Sequence, residues 1–285
     1  MLKKIIYSFI FFLLISCQNF GQLNILADVP NELKEVSGTE VLRNSNLIWM
    51  INDGGNKSTL YGVSEKGKIK KEIEIKAKNT DWEDLTSDEK GTIYIGDFGN
   101  NANSRKNLRI LKIDKKYLRK KKAEVEEIEF EYEDQRNFPP KKKELFFDAE
   151  AFFYFKKNFY IFTKSRVKDR YGKTSLYKVL AEEGKHIAKL IGEFENCNDI
   201  ECWITSADIS SDGKKVVLLS QKNVLVFTDF TADNFLSGKV KKIELKYESQ
   251  KEGICFKDGN TLLITDEKSH GEGGNLYELK IDIDN

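Results

Sequence analysis

Apolar and polar positions recur along this chain in a long, irregular period. Each repeat opens with an acidic residue ahead of an apolar stretch: Glu35-Val36-Ser37, Glu83-Asp84-Leu85, Glu150-Ala151-Phe152, Asp208-Ile209-Ser210 and Glu252-Gly253-Ile254. A second apolar run follows at 47–51, 92–95, 159–162, 216–219 and 262–264. After a polar loop comes a third, at 60–61, 108–111, 176–177, 224–227 and 276–277. The openers stand 48, 67, 58 and 44 residues apart. Short strands repeated at that interval predict a β-propeller. Asp212-Gly213 and Asp258-Gly259 sit between first and second runs, where a hairpin turn makes the two strands antiparallel. Segments 69–75, 126–133 and 239–245 alternate apolar with charged residues and read as outer strands, whose charged face discourages edge pairing.

The fifth repeat ends after its third strand, while Leu23–Val29 reads as a strand with no repeat of its own. An N-terminal strand completing the last blade would remove the free edges and tie down both ends. The expected fold is therefore all-β: a β-propeller of five four-stranded blades closed by the N-terminal strand, occupying 23–285. A six-bladed ring is the alternative, because the interval from Glu83 to Glu150 has room for a short-stranded blade.

The first sixteen residues belong to a different kind of segment. Lys3 and Lys4 precede an apolar run from Ile5 to Ile15, shorter than the ~20 residues of a membrane-spanning helix. Leu14-Ile15-Ser16-Cys17 resembles a bacterial lipobox, which implies cleavage before Cys17 and acylation of that residue. The expected product is a lipid-anchored protein of the cell envelope, on the outer-membrane or periplasmic face. Residues 17–22 would act as a short tether, reaching about 20 Å from Gln18 to Gln22 at ~3.5 Å per residue. Loss of residues 1–16 leaves 45 basic and 46 acidic residues. No global basic field exists, so nucleic acid is not an expected partner. The expected state is a monomer. A basic stretch from Lys112 to Lys122 reads as a solvated loop between outer strands, with lipid headgroups beside the anchor as the other reading.

Three cysteines follow Cys17. Cys197 and Cys202 bracket four residues, and an oxidising compartment makes a local disulfide the expectation there, with two free thiols as the alternative. Cys255, between Ile254 and Phe256, reads as a small buried hydrophobe. The only histidines, His186 and His270, fall in loop positions. Neither a nucleophile elbow nor a glycine-rich phosphate loop is present.

In a propeller the first strand of each blade lines the central axis, so the openers Glu35, Glu83, Glu150, Asp208 and Glu252 are expected in a ring at one mouth. Two carboxylates ~7 Å apart repel by roughly 2 kcal/mol at an effective dielectric of 20. Five would repel by a sum on the order of 10–20 kcal/mol, comparable with a whole domain's stability. A bound cation, basic side chains, protonation, or backbone N–H groups of the neighbouring blade must relieve this. An oxygen-only donor set suits Ca²⁺. Loops after the second strands share one face of the disc by repeat symmetry and carry Asp53, Asp97, Lys164, Arg166 and Glu267 as candidate ligand-binding residues.

The segments EVSG, INDGGN…LYGV, DWEDL…IYIGDFGNN, DAEAF, TSADISSDGKKVVLLS and EGICFKDGNTLLITDE together resemble the bacterial SdiA-regulated and phytase-like propeller families. The resemblance spans Glu35 to Asp282 and implies an envelope propeller associated with calcium or esterase-like activity. Phytases of this kind hold phosphate with several calcium ions and basic side chains. Here Lys164, Arg166 and Lys251 are the bases placed to help, and no full phytase site carries over. Two functions follow as expectations. One is a ligand- or partner-binding module with Ca²⁺ at the channel mouth. The other is a metal-dependent hydrolase of a phosphoester, ester or lactone.

Overall fold

The computed structural model describes residues 19–43, 45–269 and 271–282. The expected lipidation site Cys17, and His270, lie outside the described residues. The chain forms five four-stranded antiparallel units with short 3-10 turns between strands. The first unit comprises Val36–Val41, Ile48–Asn52, Thr59–Val63 and Ile69–Ile75. The second comprises Trp82–Ser87, Ile93–Asp97, Leu108–Ile113 and Glu126–Tyr132. The third runs Asp148–Phe155, Asn158–Lys164, Lys173–Leu180 and Gly184–Glu195. The fourth runs Ser206–Ile209, Val216–Leu219, Asn223–Thr228 and Lys239–Glu244. The fifth has Lys251–Phe256, Thr261–Asp266 and Asn275–Lys280, and its outer strand is Asn24–Asp28 from the other end of the chain.

The first strand of each unit contacts the first strands of the next and previous units, and the fifth contacts the first, so the ring closes as a β-propeller. The burial pattern explains why the sequence alternates so weakly in the middle strands. Each unit packs a neighbour on both faces, so Ile93–Asp97 is buried at every position. The outer strand Ile69–Ile75 exposes alternate charged residues instead. The core lies between the units. Trp49, Leu60, Trp82 and Leu111 fill the gap between the first two. Phe98, Phe130, Phe152 and Tyr177 fill the next gap, and Val36, Met50, Leu263 and Leu276 join the fifth unit to the first.

The outer rim is not uniform. The outer strands of the second and third units pair in parallel, from Ile128 with Gly184 to Tyr132 with Ala188, and merge those units into one eight-stranded sheet. The basic stretch 112–122 lies in the second unit, with Lys115–Arg119 as a 3-10 turn. The N-terminal residues instead meet the fourth and fifth units, which are not neighbours of the second. The stretch is therefore not beside the first described residues. Nor are residues 17–22 free throughout: from Phe20 onward the chain is seated on the body, with Gln22 N–H donating to Leu245 O at 3.2 Å.

Candidate functional site

The inner strands all begin at one end of the channel, here the mouth. Four of them carry a β-bulge there, which leaves one extra residue unpaired: Ser37, Glu83, Glu150 and Glu252. A bulge re-aims a side chain, which is why it recurs at functional rims. Glu83, Glu150 and Glu252 therefore share one structural position, but the five openers do not form a ring. Glu35 lies two residues before its bulge, 40% exposed, paired with Lys34 at 3.0 Å and accepting from Asn56 at 2.7 Å. The hydroxyl of Ser37 holds the first unit's place and donates to Trp82 O at 3.0 Å.

Asp208 is displaced in the other direction. It lies within a strand that has no bulge, toward the far end of the channel, beside Glu40 and Ser87 in a recess of about 160 Å³. Its carboxylate accepts from Ile209 N and Phe256 N, both at 2.7 Å. Between the two ends sits Asp84, wholly buried. It accepts from Leu85 N at 2.9 Å and Phe152 N at 3.2 Å, and from Ser206 Oγ at 3.1 Å and Ala207 N at 3.4 Å. One side chain thus ties three units together across the axis and closes the floor of the mouth.

Above that floor the carboxyls divide into two groups. The first has basic partners. Lys164 Nζ meets Glu150 Oε2 at 2.7 Å, and Arg166 Nε meets Asp148 Oδ2 at 2.6 Å. Asp97, fully buried, is held by Arg105 at 3.1 Å and Arg109 at 2.8 Å. Asp97 is therefore a tie within the second unit rather than a ligand group. Burial opposes the charge on Lys164, but Glu150 and Glu252 outweigh it and raise its pKa.

The second group is Asp53, Asp81, Glu83, Glu252 and Glu267, none within ion-pair distance of a basic side chain among the described residues. Burial lifts each of them. Asp53 rises to about 6, with Asp81 adding to the effect. Burial, then the charge of Glu150, pushes Glu83 well up. Glu252 reaches about 7, and Glu267 about 8 with the charge of Glu252 contributing. Asp53, Asp81 and Glu83 each present a carboxylate oxygen, and the three oxygens lie within 4.8 Å of one another. Loop glycines make this approach possible. A Cβ on Gly99 would overlap Glu83 Oε1 and Asp81 Oδ2, and one on Gly54 would overlap Asp81 Oδ1.

These three residues fit a hard divalent cation. Bonds of about 2.3–2.6 Å to Ca²⁺ let ligands on opposite sides stand about 5 Å apart, and an all-oxygen set disfavours zinc. Asp53, Asp81 and Glu83 would supply the carboxylates. Glu150 is committed to Lys164, and Glu35 and Asp208 lie elsewhere.

An aromatic side chain borders this bowl. The indole N–H of Trp203 donates to Ser165 O at 2.7 Å, and its ring lies 5.2 Å from Lys164 Nζ and 4.8 Å from Arg166 Cζ. Such placements add cation–π attraction to both bases. Trp203 follows directly on the disulfide between Cys197 and Cys202, whose Cα atoms are 5.6 Å apart. Sequence reasoning passed over Trp203. Its only signal was the Cys-Trp step before the fourth repeat. Asp81, just before the second inner strand, and Asp148, the first residue of the third, carry no signal beyond their nearness to Glu83 and Glu150.

Neither a protein-family model nor a curated protein matches the chain. Solved structures do. One is a gluconolactonase from Xanthomonas campestris, at 11% identity over 87% of this chain and 72% of that one, with a TM-score of 0.46. A putative gluconolactonase matches at 9% identity over 89% of this chain and 78% of that one, TM-score 0.47. The structural neighbours of this chain thus include gluconolactonase-like β-propellers. A chain of the nidogen/laminin complex matches at 12% identity over 82% and 72%, TM-score 0.43. At these identities the likeness of this propeller to its neighbours is one of fold.

Proposed function

We propose that the protein is a monomeric bacterial envelope lipoprotein, of the SdiA-regulated and phytase-like kind, whose channel mouth holds Ca²⁺ and there engages a ligand or partner through oxygen atoms. One observation carries the reading. Asp53, Asp81 and Glu83 converge, partly or largely buried, with no basic side chain at ion-pair distance among the described residues, whereas Glu150 and Asp148 beside them have one. A divalent ion supplies the missing charge. Lys164 and Arg166 both reach Glu150, beside the cluster, at 2.7 and 3.4 Å and would add positive charge for an anionic ligand.

A second reading, a metal-dependent hydrolase of a phosphoester, ester or lactone, is favoured by Glu252 and Glu267. Their carboxyls are raised to about 7 and about 8 beside the same cluster, the range in which a general acid or base works best.

The test uses protein purified without chelator. Calcium should raise the melting temperature and EDTA lower it, and Glu83→Gln should abolish both shifts while leaving the circular dichroism unchanged. Turnover of generic ester or lactone substrates that disappears in Glu252→Gln, with calcium binding intact, would select the hydrolase. If neither calcium nor EDTA moves the melting point, the cation reading is wrong.

A further inference from the structure

The first described residues are not a loose lead-in. Phe20 packs edge-on against Tyr247 with ring centroids 4.9 Å apart and lies 6.0 Å from Tyr277. Leu23 N–H donates to Phe20 O at 3.1 Å, and Gly21 N–H to Asn19 Oδ1 at 3.0 Å. Gly21 sits at φ 64°, and a Cβ there would overlap Leu245 O, so only glycine lets the chain lie this close. Leu23 is 5% exposed, within the core shared by the fourth and fifth units.

This seat is at the mouth end of the molecule. Tyr247 belongs to the segment that leads into the fifth inner strand, and its carbonyl accepts from Lys251 Nζ at 2.6 Å. Lys251 pairs with Asp266 at the mouth end of the fifth unit, and Tyr277 donates to Asp266 Oδ2 at 2.7 Å. Glu267, on the bowl, is the next residue along.

We infer that the flank of the fourth and fifth units around Tyr247 is held against a lipid bilayer, with the channel mouth on the membrane-proximal side. The inference rests on the proposed acylation of Cys17. Phe20 comes three residues after Cys17, a span of roughly 10 Å at full extension. An anchor on so short a leash cannot reach past the rim to the opposite face. Among the described residues, exposed Ile25 lies on the strand that leads from the seat, and exposed Ile200 adjoins Glu201, which lines a recess with Tyr247. Open recesses of about 720 and 870 Å³ flank Tyr247. Their lysines (Lys222, Lys246, Lys66, Lys68, Lys268) are matched by acids, so the leash and not surface charge sets the orientation. The mouth's ligand would then approach along the bilayer surface or from within it.

The test is site-directed fluorescence on the acylated chain in vesicles of phosphatidylcholine and phosphatidylglycerol carrying a headgroup nitroxide. A bimane label is placed at Glu248→Cys, exposed beside the seat, or at Lys90→Cys, exposed on the turn at the opposite face of the second unit. Quenching at Glu248→Cys should exceed that at Lys90→Cys several-fold, and Phe20→Ser, which frees the seat, should shrink the difference. Equal quenching, or more at Lys90→Cys, overturns the orientation while acylation stands. If mass spectrometry finds residue 17 unmodified and the chain fails to float with the vesicles, the anchor reading falls and this inference with it.

Discussion

Replacing Asp208 with asparagine separates a titrating lock from a permanently ionised one. Asp208 is part-buried at the edge of its recess, and desolvation there lifts its carboxyl from 3.8 to about 7 against two backbone hydrogen bonds that pull it down. Its neighbour Glu40 is pushed well up by burial first and then by the charge of Asp208. Because the folded pKa lies above the unfolded one, the folded state keeps a proton that the unfolded chain has lost. The stability linked to that proton is complete below pH 3.8 and disappears as the pH rises through 7. A shift of that size corresponds to about 4 kcal/mol in all, of which roughly 2–3 kcal/mol falls between pH 5 and 8. Asparagine cannot titrate, but it has one carbonyl oxygen where the carboxyl has two. Either Ile209 N–H or Phe256 N–H must lose its acceptor, at about 1–3 kcal/mol. Urea unfolding at pH 5 should therefore find the variant less stable than the parent. At pH 8 the two should be equal or reversed, the difference having moved by roughly 2–3 kcal/mol. Subtracting the curves cancels the titrations at the mouth. A difference that stays constant from pH 5 to 8 would show that Asp208 is ionised in the fold throughout, and the argument from burial would fail.

Two further outcomes concern the axis and the mouth. Asp84→Ala leaves Phe152 N–H and Ala207 N–H without their acceptor and should cost about 3–5 kcal/mol in urea unfolding; a loss under ~1 kcal/mol would mean that the tie across the channel carries little. Lys164→Met leaves the buried Glu150 with only its longer, 3.4 Å contact to Arg166 and should cost about 3 kcal/mol without calcium. The same change removes a positive charge near the cation cluster, so calorimetry should find calcium binding about fivefold or more tighter, and an unchanged or weaker affinity would place the cation elsewhere.

The architecture was legible because its signals are local and repeated. Strand-length apolar runs, Asp-Gly turns and alternating outer strands each survive irregular spacing. The closing strand was legible by subtraction, since Leu23–Val29 had no repeat of its own and the last repeat lacked a fourth strand. The site was harder because a propeller channel is read in register, and one bulge residue changes which side chain faces it. Counting acids put Glu35 and Asp208 in a common ring with Glu83. The bulge gives that place to Ser37 in the first unit, and the unbulged fourth strand carries Asp208 toward the far end. The five openers do not gather as expected, and the carboxyls along the channel are held in more than one way. Backbone N–H groups hold Asp84 and Asp208, while Lys164 and Arg166 hold Glu150 and Asp148.

The seam where Asn24 pairs with Glu278 also sets a timetable. The strand Asn24–Asp28 waits for Asn275–Lys280, about 250 residues later, before it finds its partner. At about 5–20 residues per second that delay is roughly 10–50 s. During it the incomplete ring is an open arc with an unpaired edge at each end, the arrangement most exposed to pairing with another chain. The ring cannot lock before Asn275–Lys280 is made, so its closure comes late in the synthesis of this domain.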